Sequence, residues 1–358
     1  MKYFYGTLFA LLAYATLSLA ATVNVCPTCT YKTVSAALTS IPGGSTEYRI
    51  DIAPGVYHET FTISRSNIIL AKKGDGEVVI EYAIGHDTQG SHGNTTEMAV
   101  VTITGSNIRF YDITIANTYK QTFNIANVAL SVKGKQVGFY RSKIYGFQDT
   151  LLINEGATVY FKSCYVEGNV DFIYGYGTGY FQECNIASNG VGYVTAQKRR
   201  TPNSEGGLYF NGCYLIPTLP SGPIAKSANP SHSFTRTSRK DNTSYLGRPW
   251  NENARVIFIS SQLGSHIRPE GWSIWSRIRP NISNVLFGEY GNSGPRSSLA
   301  KRKYTTKLTP AQAAQYSVGG VFGSTSWIDT TSSTSIKTFD NFALFYYVSL
   351  KIECYKAK

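Results

Sequence analysis

Long apolar runs are almost missing from this chain. After residue 20 no stretch reaches the ~18 apolar residues that a membrane span needs, and the run near Phe345-Tyr346-Tyr347 falls far short. A helical membrane protein is therefore not expected. Charge is also sparse: charged residues make up 16% of the chain, and the net charge of +12 is scattered rather than gathered into a tail. Helical periodicity is rare, with YKTVSAAL (31–38) and residues 310–316 the two segments that read as helices. The five histidines, His58, His86, His92, His232 and His266, sit in no hydrolase-triad context. No G-x-S-x-G elbow precedes a helix, so serine-esterase chemistry is disfavoured. Cys26-Pro-Thr-Cys29 is a lone CxxC among six cysteines. Without a second pair or nearby histidines it does not read as a zinc site; a local disulfide or a free pair remain. No acidic cluster marks a metal site, and neither metal nor cofactor is expected.

What is present begins with a leader. Lys2, the apolar run Leu8–Leu19 and the small-x-small triplet Ser18-Leu19-Ala20 form a secretory signal peptide over residues 1–20. Export permits disulfides and predicts an extracellular location. The scattered positive charge suits a polyanion, whether nucleic acid, anionic membrane or acidic polysaccharide. A secreted protein rarely meets nucleic acid as substrate, so the polysaccharide ranks first. Asn94-Thr-Thr, Asn242-Thr-Ser and Asn281-Ile-Ser are glycosylation acceptors suited to surface loops.

Between the two helical segments lie short β-branched and aromatic runs broken by Gly and Asn, which read as many short strands. Five of them share a frame: IRFYDITI (108–115), VGFYRSKI (137–144), VYFKSCYV (159–166), GYFQECNI (179–186) and LYFNGCYL (208–215). Their phenylalanines, Phe110, Phe139, Phe161, Phe181 and Phe210, are 29, 22, 20 and 29 residues apart. Units of this length, each with short strands, indicate a solenoid in which like residues pile into ladders. Cys164, Cys184 and Cys213, each three residues after a phenylalanine, would form such a ladder. A structural role suits them better than a catalytic one, and a Cys164–Cys184 bridge between coils is geometrically conceivable. Residues 217–244, rich in Pro, Ser and Asn, read as a long excursion of the kind that carries function or disorder.

The frame also places two carboxylates. Asp149 follows Phe139 by ten residues and Asp171 follows Phe161 by ten. Superposed coils would put both on neighbouring strands ~4.8 Å apart. Two like charges at that range do not both ionise cheaply, so one acid stays protonated while its partner stays charged. That pair suits acid–base or covalent chemistry; two solvated turn aspartates are the plainer reading.

The surroundings of the pair are Gly146-Phe-Gln-Asp-Thr-Leu151 and Gly168-Asn-Val-Asp-Phe-Ile-Tyr-Gly175, followed by Leu246-Gly-Arg-Pro-Trp250. With these blocks the chain resembles the pectin methylesterase (pectinesterase) family, whose hallmarks are GYQDTL, VDFIFG and LGRPW. YKTVSAAL, PGVYHE, YVTAQKR, PEGW (269–272) and EYGN (289–292) extend the likeness over about residues 30–330, with nothing in front resembling the plant-type inhibitor pro-region. The resemblance implies an all-β, right-handed parallel β-helix over residues 21–330, with a short N-terminal helix and a C-terminal capping segment. Residues 331–358 have no structural reading. It further implies hydrolysis of galacturonate methyl esters in pectin, at the cell wall; a solenoid with intact caps can do this as a monomer. Asp171 is then the nucleophile, Asp149 the acid and later the base, and Gln148 the oxyanion donor. Arg248 is the partner that keeps Asp171 charged; the ten-residue count from Arg248 to Phe258, matching that from Asp171 to Phe181, lends it support. Trp250 resembles the sugar-contacting tryptophan, with packing as its other reading, and Phe172 reads equally as cleft or core.

One departure stands out. The family block Q-A-V-A-L is here Ala126-Asn-Val-Ala-Leu130, so a glutamine that would face the reaction is missing and Asn127 or Asn124 is left to supply an amide. Asn169 and Tyr174 also depart from the family's usual residues. A weakened or inactive pectin-binding β-helix protein is the alternative this leaves, and a pectate lyase or polygalacturonase on the same fold is a further one.

Overall fold

The computed structural model describes residues 20–87 and 99–331. The body of the expected leader, the Asn94 acceptor, Cys354 and the tail lie outside those residues. Parallel strands stack into two large sheets, and the antiparallel pair 86–87 with 125–126 stands apart from them. The first sheet runs coil by coil from Ala21–Val25 to Thr305–Lys307. The chain is a parallel β-helix, as the repeat requires.

The phenylalanine frame is the core. Phe110, Phe139, Phe161, Phe181, Phe210 and Phe258 are register partners on successive strands. Their rings stack with centres 4.4–5.1 Å apart, the strand spacing itself. Phe258 extends the ladder past the long excursion. Cys164, Cys184 and Cys213 stack beside it as free, buried thiols. Each donates to a carbonyl of the coil before, at 3.4 Å to Phe139, 3.6 Å to Phe161 and 3.3 Å to Phe181. That bonding satisfies the sulfurs without a bridge, so no Cys164–Cys184 disulfide forms. Cys26 and Cys29 do pair as a disulfide.

Each coil turns its corners with residues at positive φ, among them Asp112, Arg141, Ser163 and Glu183 just after the ladder strands. Asp and Asn accept this conformation at lower cost than most residues. The helix Val34–Ser40, capped by Thr33, covers the N-terminal coil through Val34 and Ala37. The Glu59 carboxylate accepts from its first amides, Val34 N at 2.8 Å and Ser35 N at 2.9 Å, where the helix dipole favours an anion. The C-terminal segment, with helices Pro310–Ala314 and Val318–Phe322, lies along the outer face of the first sheet. It covers a second ladder, Tyr140, Tyr160, Tyr180 and Tyr209. Tyr180 donates to the Tyr316 carbonyl, and the Asp329 amide donates to Tyr140.

Candidate active site

The second sheet carries the acidic pair. Leu151 pairs with Ile173 and Leu152 with Tyr174, while Tyr145 pairs with Glu167. The same 22-residue offset brings Asp149 level with Asp171. Both occupy corner positions at positive φ, 59° and 50°, and the Asp149 amide donates to the Val170 carbonyl at 3.0 Å. A β-bulge in Tyr165–Gly175, between Val170 and Ile173, accommodates Asp171. Asp171 is buried and Asp149 half-buried.

Arg248 closes the site. Its Nε donates to Asp171 Oδ1 at 2.9 Å and its Nη2 to Oδ2 at 2.6 Å, a two-pronged ion pair. Burial pushes the Asp149 carboxyl well above the ordinary carboxylate range, and the charge of Asp171 pushes it further. Burial raises Asp171 too, but Arg248 opposes that by charge and by hydrogen bonding. Arg248 lowers Asp171, as a guanidinium partner should, but desolvation outweighs it; both acids are raised, and Asp149 is raised the more. The proton therefore settles on Asp149 first.

Arg248 does not share the register that the ten-residue count gave it. It pairs with Ala196, which pairs with Tyr174, three residues beyond Asp171. Turns of unequal length follow these strands, so the matching ten-residue intervals are a coincidence, and the arginine reaches Asp171 by leaning back along its strand.

The remaining expected residues divide. Gln148, half-buried, lines the cleft beside the pair together with Asn127. Asn127 is buried; its backbone N–H donates to the Gln148 carbonyl at 3.0 Å, and its side-chain Oδ1 accepts from Phe147 N at 3.0 Å. Ala126 is buried and pairs with His86. Phe172 is fully buried in the main core, which corrects its reading as a substrate residue: the bulge turns its ring inward, over Gly168. Trp250 is half-buried, its ring 5.3 Å from Tyr176 and 6.0 Å from Tyr174, with Lys198 Nζ 4.9 Å above it. The excursion 217–244 supplies a cleft wall, including His232 and Phe234. It is pinned by Glu167, which accepts from Ser221 N at 3.0 Å, and by Gln121, which accepts from Asn229 N at 3.0 Å. Sequence reasoning missed Tyr193 and Trp275, both against Arg248. Tyr193 lies in the YVTAQKR block, but Trp275 carried no frame or block to mark it. Among the described residues no group of His, Cys, Asp and Glu is placed to hold a metal ion.

Comparison with known proteins follows this geometry. The chain is 32% identical over 310 residues to Pectinesterase 2 of Citrus sinensis, covering 84% of this chain and 57% of that protein. It is 32% identical over 308 residues to Probable pectinesterase A of Aspergillus niger, covering 84% and 85%. The crystal structure of the pectin methylesterase from Aspergillus niger superposes with a TM-score of 0.73 at 28% identity, covering 88% of this chain and 98% of that one. Residues 20–324 match the family described as Pectinesterase, and the chain belongs to the pectinesterase family of carboxylic ester hydrolases.

Proposed function

We propose that this chain removes methyl esters from the galacturonate units of pectin with Asp171 as nucleophile and Asp149 as proton donor and acceptor. The observation that carries this reading is the unequal pair: two aspartates in register, of which one alone is gripped by a guanidinium. An Asp171 oxygen attacks the ester carbonyl carbon, and the carbonyl oxygen takes up negative charge. Gln148 faces that charge. Asn127 supports a second contact, because its oxygen is already committed to Phe147 N and its amide nitrogen is the end left for a ligand. Each such donor is worth about 3 kcal/mol of transition-state stabilisation. Asp149 gives its proton to the methoxy oxygen, the C–O bond breaks and methanol leaves, with the acyl group on Asp171. Asp149, now a carboxylate, takes a proton from water. The resulting hydroxide attacks the acyl carbon, and Asp171 departs as a carboxylate while Asp149 is again protonated.

Trp250, with Lys198 above it, presents a flat apolar face and a nearby cation, suited to an anionic pyranose. The helix Val34–Ser40 covers the first coil, and a capped solenoid suits a monomer. The Cys26–Cys29 disulfide agrees with the leader sequence in favouring secretion.

The purified protein should release methanol from methyl-esterified polygalacturonate, and D171N should abolish that release while still melting cooperatively. Binding of the polymer without methanol, or shortening of unesterified polygalacturonate, would overturn the reading.

A further inference from the structure

Arg248 stands on a strand whose register leads elsewhere, so its side chain is held on Asp171 by more than its backbone. A free arginine gives up ~2 kcal/mol of rotamer entropy when fixed. Two rings restrict it beforehand. The guanidinium carbon lies 4.2 Å from the ring centre of Tyr193 and 4.3 Å from that of Trp275. The in-plane edge carrying Nε and Nη2 meets the carboxylate, while stacking engages the flat faces.

Both rings are themselves fixed. Tyr193 stacks on its register partner Tyr245, with centres 5.4 Å apart and planes 11° from parallel. Trp275 sits in a short turn closed by bonds from Trp275 N to the Pro280 carbonyl and from Ser276 N to the Arg279 carbonyl, at 3.2 and 3.1 Å. It also packs on the cluster of Ala99, Val128, Leu152, Tyr174 and Ala196. Trp250 and Trp275 thus face different cations, Lys198 and Arg248.

We infer that Tyr193 and Trp275 are positioning residues of the esterase reaction, clamping the Arg248 guanidinium so that its edge stays on Asp171. This rests on Asp171 being the nucleophile. The charged or titratable groups facing Asp171 are Asp149 from the preceding coil and Arg248; those facing Arg248 are both aspartates and the Tyr193 phenol. Without the clamp the guanidinium leaves the carboxylate for part of the time. Ionised Asp171 then loses stabilisation, a proton competes better for it, and the acidic limb of kcat/KM moves to higher pH.

The test follows methanol release from methyl-esterified polygalacturonate against pH for the full chain as wild type, W275A, W275F, Y193L and D171N, with thermal melts of each. W275A should lower kcat about 10- to 100-fold and shift the acidic limb upward. W275F should restore most of both, and Y193L should act in the same direction as W275A. A W275A enzyme with unchanged kcat and acidic limb, raised only in KM, would mean that the ring merely touches the sugar and would overturn the clamp. Equal loss in W275A and W275F would overturn it as well. If W275A fails to melt cooperatively, Y193L decides by the same outcomes. An active D171N would instead refute the nucleophile assignment, and a dead D171N beside a W275A with wild-type kcat and acidic limb would refute the clamp alone.

Discussion

The phenylalanine ladder and the aspartate pair are built by the same rule and pull in opposite directions. In both, superposed coils place identical side chains one strand spacing apart. For the phenylalanines this buries aromatic faces against one another, centres 4.4–5.1 Å apart, and each ring adds to stability. For Asp149 and Asp171 it brings two acids together in a desolvated corner, where burial and mutual repulsion drive Asp149 well above its ordinary range. Repetition along a solenoid is stabilising for an apolar side chain and costly for a charged one. The cost is what sets up a protonated and an ionised acid side by side.

Four substitutions break or sharpen that contrast. D149N should cut kcat about 10³- to 10⁴-fold, since the proton donor and acceptor is removed; a kcat within tenfold of wild type would exclude Asp149 from proton transfer. F161A opens a cavity between two stacked rings and should lower unfolding free energy by about 4 kcal/mol in equilibrium denaturation. A loss below ~1 kcal/mol would mean that the ladder is not what holds the coils. N127A should reduce kcat roughly 100-fold if the amide serves the oxyanion. Adding A126Q should then recover part of the loss, whereas no recovery would place the defect in the lost bond to Phe147.

The smallest effect is the most telling. Asp149 has a raised carboxyl in the fold, so the folded state holds its proton more tightly than the unfolded chain does. Its contribution to stability is present at pH below the unfolded value of about 3.9 and is lost as pH rises toward the folded value. The inactive D149N should therefore be more stable than wild type at neutral pH by about 1 kcal/mol. The gain should vanish below about pH 4, where the unfolded carboxyl is protonated as well. A D149N protein less stable at pH 7 would show that the pair supports the fold.

Much of this was legible in the sequence because a solenoid writes its geometry as spacing. The ladder followed from phenylalanines that share one local frame, and the acidic pair from its fixed distance to them. Counting failed where the turns change length. Gly175 leads to the next strand at Thr178, but Gln197 leads to Gly207 and Pro249 to Arg255. Across those turns the ten-residue count for Arg248 matches without a shared register, and Trp275 leaves no periodic trace. Phe172 was ambiguous because a bulge decides which way a strand residue points, and no residue near it announces the bulge. The tyrosine ladder stands one residue before or after the phenylalanines, visible as FY and YF pairs. The outer position reads as solvent-facing until the C-terminal segment folds back over it.

The account depends most on which acid keeps the proton. Carbon-13 NMR titration of labelled aspartate carboxyls in the wild-type protein, with resonances assigned through D149N and D171N, measures that order directly. Asp149 is predicted to titrate at the higher pH and Asp171 at the lower. The reverse order, or two carboxyls titrating together in the range of free aspartate, would contradict the account.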